Sequence, residues 1–233
     1  MKTVDVCLSP DLIHLYDVSD KVVVVVDILR ATSCMTAGLA NGVKSITPYQ
    51  NLEQCEFMKY KGYLIAGERD GQKVDGFDLG NSPFDYLDES VRGKKVAVTT
   101  TNGTVAIEKS KRAIEVIIGS FLNISAVAAH VKKQRQNVLI LCAGWKGKIN
   151  LEDSLFTGAL VDKLIDDFAF ESDAPLLAQA CYLQMKDDML HRVQNSSHAK
   201  RLNRLNVQKD IEYCLKLDEF DIVPRLVGEE LVV

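Results

Sequence analysis

VVVVVDILRATS, residues 22–33, passes in a single step from five valines to an acid, an arginine and a Thr-Ser pair. An unbroken β-branched run reads as a strand covered on both faces, because a strand with one wet face would alternate apolar and polar residues. The polar turn behind it, ending in Thr and Ser, reads as the opening of a helix. Three later stretches make the same passage: VAVTTTNGT (96–104), VIIGSFLN (116–123) and VLILCAGWKG (138–147). The pattern predicts strands over Lys21–Val26, Val43–Pro48, Tyr63–Ala66, Lys95–Thr99, Ala113–Ile118 and Asn137–Leu141. Helices are expected over Thr32–Ala40, Leu52–Lys59, Gly103–Ser110, Ile124–Gln134, Asn150–Phe168 and Pro175–Gln184, with one or two polar helices between Asp187 and Cys214. Such alternation gives the α/β class, three layers α/β/α around a mixed sheet. Residues 1–233 read as one unit. The likeness among the strand-to-helix steps leaves two fused halves open, since any βα architecture generates some of it.

With 233 residues, 47% of them hydrophobic, the chain can bury a substantial core. The opening MKTVDVCLSPDLIHL holds no apolar stretch fit for a secretory signal, and the longest apolar run, Val22–Val26, is far short of a membrane span. A cytoplasmic location with no membrane partner is expected. Six cysteines lie scattered without close pairs, several inside apolar runs, as buried reduced thiols do. The formal net charge of −4 offers no basic face for a nucleic acid. The expected partner is a small molecule, and association of like chains is left open.

In open α/β sheets ligands gather beyond the carboxyl ends of strands, where loops meet helix amides and dipoles. This chain concentrates its unusual polar residues there. Asp27 follows five valines, where a carboxylate is costly unless it meets a metal or a cation, although Asp is also a favoured helix cap. Arg30, three residues on, has a planar fork suited to an anionic oxygen pair. GERDGQKVDGFDLGNSP (67–83) sets Glu68 and Arg69 among four glycines, with Glu68 a second metal ligand or a base and Arg69 an anion clamp. Asn81-Ser82-Pro83 reads as the cap of a further helix. TTTNGT (99–104) brings the hydroxyls of Thr100 and Thr101 and the amide of Asn102 to a helix start, a phosphate cradle in composition but without nucleotide-loop spacing. CAGWKGKINLEDSLFTGALVDKL (142–164) delivers Lys146 and Lys148, then Glu152 and Asp153 in the first turn of a long helix. Of these two acids Asp153 is the candidate for the site. His14, His130, His191 and His198 form no ligand cluster in sequence, and His198, in SSHAKRL, is a candidate proton donor or a solvated surface residue.

Taken in order, DILRATS, GERDG with GFDLGNSP, TTTNGT, GSFLN, CAGW and LEDSLFTGAL resemble the signature blocks of the 2-phosphosulfolactate phosphatase family, and SSHAKRLNRL and Pro224 are similar to its C-terminal part. The resemblance implies an α/β/α fold and a Mg²⁺-dependent release of phosphate from 2-phospho-3-sulfolactate, giving 3-sulfolactate on the way to coenzyme M. By position in the blocks it implies Asp27, Glu68 and Asp153 as catalytic acids, with Asp27 and Glu68 on the metal. Arg30, Arg69, Thr101, Asn102 and Lys148 are then candidates for holding the substrate. Templates of other phosphatase classes are missing: Leu29, not an acid, stands two places after Asp27, and no Arg-His-Gly triplet occurs. Attack by a water or by Asp27 itself both stay open.

Overall fold

The computed structural model describes residues 1–203, 205 and 207–233. Its strands are β1 (Thr3–Cys7), β2 (Lys21–Val26), β3 (Ser45–Pro48), β4 (Leu64–Arg69), β5 (Gln72–Lys73), β6 (Lys95–Thr99), β7 (Glu115–Gly119), β8 (Asn137–Cys142), β9 (Ala169–Phe170), β10 (Arg225–Val227) and β11 (Glu230–Val232). Its α-helices are α1 (Ala31–Ala40), α2 (Leu52–Phe57), α3 (Pro83–Leu87), α4 (Gly103–Ser110), α5 (Ile124–Gln134), α6 (Leu151–Leu164), α7 (Ala174–Met185), α8 (Met189–Gln194), α9 (Ser197–Asn203) and α10 (Gln208–Cys214). The class is α/β with one large mixed sheet, as the sequence predicts. The region expected as polar helices holds α8, α9 and α10, and Arg204 and Asn206 in it lie outside the described residues. No helix among the described residues is long and apolar enough to cross a membrane.

The sheet has eleven strands in the order β5-β4-β6-β3-β11-β10-β7-β2-β8-β1-β9. Two parallel blocks, β4-β6-β3 and β7-β2-β8-β1-β9, are joined by the antiparallel hairpin β10–β11. The hairpin touches each block through one register pair, Arg225 with Ile117 and Leu231 with Ile46. The five valines occupy β2 in the middle of the larger block, and their alternation sorts them. Val22, Val24 and Val26 face a cluster with Phe121 and Phe156, under α5 and α6. Val23 and Val25 face a second cluster that takes in Met35 of α1, Ile107 of α4, Val96 and Val98 of β6 and Ala66 of β4. Burial on both faces is what an all-valine strand requires.

Pairing across the hairpin makes the two blocks run in opposite directions, yet the carboxyl ends of β2 and β4 meet at one cavity. Twist explains how. Six pairing steps separate β4 from β2, and at about 20–25° per step the strand direction turns by about 120–150°, which undoes most of the reversal. Ala66 of β4 and Val23 of β2 belong to one apolar cluster beneath the sheet.

The missed elements are short. β5, β9, β10 and β11 have two or three residues each, and β1, TVDVC, interrupts its apolar residues with Asp5. The predicted cap at Asn81-Ser82-Pro83 opens α3, with Ser82 Oγ accepting from Phe84 N at 3.3 Å. All six cysteines are free thiols, five of them buried.

Candidate active site

A cavity of about 390 Å³ opens where β2, β4 and β6 end, and α9 forms its far wall. Asp27, Arg30, Glu68, Asn81, Thr101, Asn102, Trp145, His198 and Arg201 supply its main polar surface. Asp27 is held by the turn it begins. Its backbone N–H donates to Thr32 Oγ1 at 3.0 Å, and that hydroxyl donates back to the Asp27 carbonyl at 2.9 Å. The carboxylate accepts from the N–H of Ala31, the first residue of α1. The N-terminus of α4 also crowds it: a Cβ on Gly103 would stand 2.9 Å from Asp27 Oδ2, so only glycine lets that helix approach. Burial pushes the Asp27 carboxyl up to about 7, with Glu68 and Glu152 adding to the rise and His198 and the Ala31 amide opposing it.

Glu68 is clamped at both oxygens. Oε2 accepts from Gly71 N and Oε1 from Thr101 N, each at 2.7 Å, so the acid ties the end of β4 to the TTTNGT turn. Gly71 has a φ of +85°, and a side chain there would strike Leu205 at 2.9 Å. The Arg30 guanidinium, 4% exposed, donates through Nη1 to Asp210 and through Nη2 to the Gly71 carbonyl at 2.9 Å. Asp210 in turn accepts from Ser82 Oγ at 3.0 Å. The arginine is thereby aimed by α10 and the α3 cap.

Of the far wall the sequence singles out only His198, as a proton donor or a solvated surface residue, and at 7% exposure it is not the latter. His198 of α9 turns Nδ1 to Glu152 Oε1 at 2.5 Å, with Asn150 Nδ2 at 3.2 Å, which leaves Nε2 for the cavity. Arg201 lies 3.8 Å above the Trp145 ring, a stacked cation–π contact that holds the guanidinium flat. One signal for them existed. In a helix His198, Arg201 and Leu202 share a face, so the pattern sets a His and an Arg beside an apolar residue that must face inward.

Four predicted residues lie elsewhere. Arg69 spends its fork on the Glu68 carbonyl at 2.7 Å and on Thr99 Oγ1 at 3.0 Å. Thr100 caps α4, its Oγ1 accepting from Thr104 N at 3.2 Å. Lys148 is exposed, and its carbonyl closes a turn with Trp145 N at 2.8 Å. Asp153 is buried behind the cavity, where Oδ1 accepts from Ile28 N at 2.9 Å and Oδ2 from Gly144 N at 3.0 Å. Burial and the neighbouring Glu152 and Asp27 raise its pKa well above the carboxylate range. It positions the two strand ends rather than facing the cavity. The structure brings together Asp27, Arg30, Glu68, Thr101 and Asn102 of the predicted set.

Four buried polar atoms of cavity residues have no hydrogen-bond partner among the described residues: Arg30 Nε, Arg201 Nε, Asn81 Oδ1 and Thr101 Oγ1. Two donors on cations and two neutral oxygens suit an anion and a hard cation together. No three His, Cys, Asp or Glu side chains among the described residues form a ready-made metal cage. Two carboxylates with neutral oxygens nearby fit Mg²⁺, which keeps several waters and takes further oxygens from a substrate phosphate.

The family model described as 2-phosphosulpholactate phosphatase matches residues 7–229. The chain is 43% identical over 217 residues, 90% of it and 89% of the relative, to a probable 2-phosphosulfolactate phosphatase of Caldanaerobacter subterraneus. It is 41% identical to one from Thermotoga maritima, covering 97% and 96% of the two chains. A third, from Clostridium acetobutylicum, is 37% identical with 98% and 99% covered.

Proposed function

The chain belongs to the 2-phosphosulpholactate phosphatase family, and from that premise we propose that it is a Mg²⁺-dependent phosphoric monoester hydrolase acting on 2-phospho-3-sulfolactate. The product would be 3-sulfolactate, made in the cytoplasm and consumed on a route to coenzyme M. One observation carries the reading: Arg30 and Arg201 offer free Nε donors in the same cavity that holds the carboxylates of Asp27 and Glu68. A phosphate monoester with a second acidic group needs both signs of charge in one place.

Arg30, with one N–H on each Nη fixed by Asp210 and Gly71, has its Nε–H directed without further loss of side-chain freedom. It holds a phosphoryl oxygen and steadies charge there as the bond to the leaving oxygen stretches. Arg201, flat on Trp145, takes one of the substrate's two further acidic groups, the carboxylate or the sulfonate. Asp27, Glu68 and the oxygens of Asn81 and Thr101 would hold Mg²⁺, which supplies charge neutralisation and a more acidic water. Buried Asp27 is costly as an anion without such a cation, which is the sense of its raised pKa. Water then attacks phosphorus in line with the departing oxygen.

Phosphate release from 2-phospho-3-sulfolactate and 2-phospholactate tests this, with metal stripped by a chelator and then returned. Turnover is expected only with Mg²⁺ restored and faster with the sulfonate. Full turnover in stripped enzyme would remove the metal, and equal rates would remove the sulfonate preference.

A further inference from the structure

The Glu152–His198 pair has no part in holding the metal or the phosphoryl group as described above. Glu152 is wholly buried in the first turn of α6, and His198 is 7% exposed on α9. A carboxyl so deep must be hydrogen-bonded, and among the described residues its partner is His198 Nδ1, 2.5 Å away. With Nδ1 spent on Glu152, the ring can point only Nε2 at the cavity that Asp27 and Glu68 also line. The carboxylate fixes the orientation of the ring. Alkoxide is a poor leaving group; arginine keeps its own proton, and Asp27, ionised if it holds the metal as described above, would have none to give.

We propose that His198 is the catalytic acid that protonates the leaving oxygen, and that Glu152 is its positioning residue; the proposal rests on the phosphatase reading above. As the bond from phosphorus to the substrate oxygen breaks, its electron pair goes to that oxygen and takes the Nε2 proton, giving the free 2-hydroxy acid. Water supplies the new oxygen on phosphorus. One of its protons stays on the product as hydrogenphosphate, and the other returns through solvent to Nε2.

The test compares the oxygen ester with its analogue carrying sulfur in the bridging position. Thiolate leaves without a proton, being the anion of a much stronger acid than an alcohol. His198→Gln should lower kcat on the oxygen ester by roughly 100- to 10,000-fold and on the sulfur analogue by less than about 10-fold. Glu152→Gln should give a smaller loss with the same preference for the oxygen ester, which a purely structural tie between α6 and α9 would not produce. Retained turnover of the sulfur analogue also certifies that each variant is folded. Equal losses on both substrates, or no loss on the oxygen ester, would overturn the acid role while leaving the phosphatase intact. Wild-type enzyme that releases phosphate from neither, with Mg²⁺ present, would overturn both.

Discussion

Asp27 and Asp153 are the same side chain, both nearly wholly buried and both raised in pKa chiefly by that burial, yet they do different work. Asp153 gives each oxygen to a backbone amide, Ile28 on one side and Gly144 on the other, and so fastens the end of β2 to the end of β8. Asp27 takes one amide and turns the rest of its carboxylate to the cavity. The arginines divide in the same way. Arg30 leaves an unpaired donor inside the cavity, whereas half-buried Arg69 finds its partners on its own strand and on Thr99. What separates a cavity-facing group from a purely structural one here is where its last hydrogen-bonding capacity goes.

The largest effect separates the two aspartates. Asp27→Asn should cut phosphate release by about a thousandfold or more without lowering Tm, because Asn keeps an oxygen for the Ala31 amide and removes a buried charge that the raised pKa marks as costly. Asp153→Asn should strand one amide, costing about 1–3 kcal/mol and lowering Tm by roughly 2–12 °C, with a far smaller change in kcat. Kinetics and calorimetry on the pair check this, and matching losses of activity would erase the distinction. Next come the arginines. Arg30→Lys should lower kcat/KM by about 10- to 1,000-fold through loss of the fork, while Arg69→Lys stays within about threefold. The smallest effect sharpens the boundary of the site: Lys148→Ala should leave turnover within about twofold and stability within about 0.5 kcal/mol. A large loss there would bring the exposed turn after β8 into the substrate's reach.

Much of this was legible in the sequence where local chemistry and tertiary environment agree. Lys21–Val26, Lys95–Thr99, Gly103–Ser110 and Ile124–Gln134 are observed with the predicted limits, because buried valines and clear helix starts leave the chain few alternatives. The acids and hydroxyls at those strand ends, Asp27, Glu68 and Thr101, come together for the same reason. Lys148 and Arg69 show the limit. A cation after a strand can face a ligand or its own backbone, and only the turn geometry decides. His198, Arg201 and Asp210 were harder, since they reach the cavity from polar helices whose docking depends on Leu202 and Leu205 covering Gly71. Three-residue strands such as RLV and ELV carry almost no pattern of their own, so the hairpin that joins the blocks was invisible beforehand.

That hairpin gives the molecule a timetable. Synthesis runs from the amino end, so both acids of the cavity are made early, while β10 and β11 follow roughly 200 residues after Asp27. At typical translation rates this interval is on the order of 10–40 s. Once made, β3 and then β7 wait within it without a partner on the sides the hairpin will cover, and bare strand edges invite pairing with other chains. The nascent chain thus carries the carboxylates of Asp27 and Glu68 long before its sheet is closed, and its exposure to misassembly is set by the wait for eight residues near position 230.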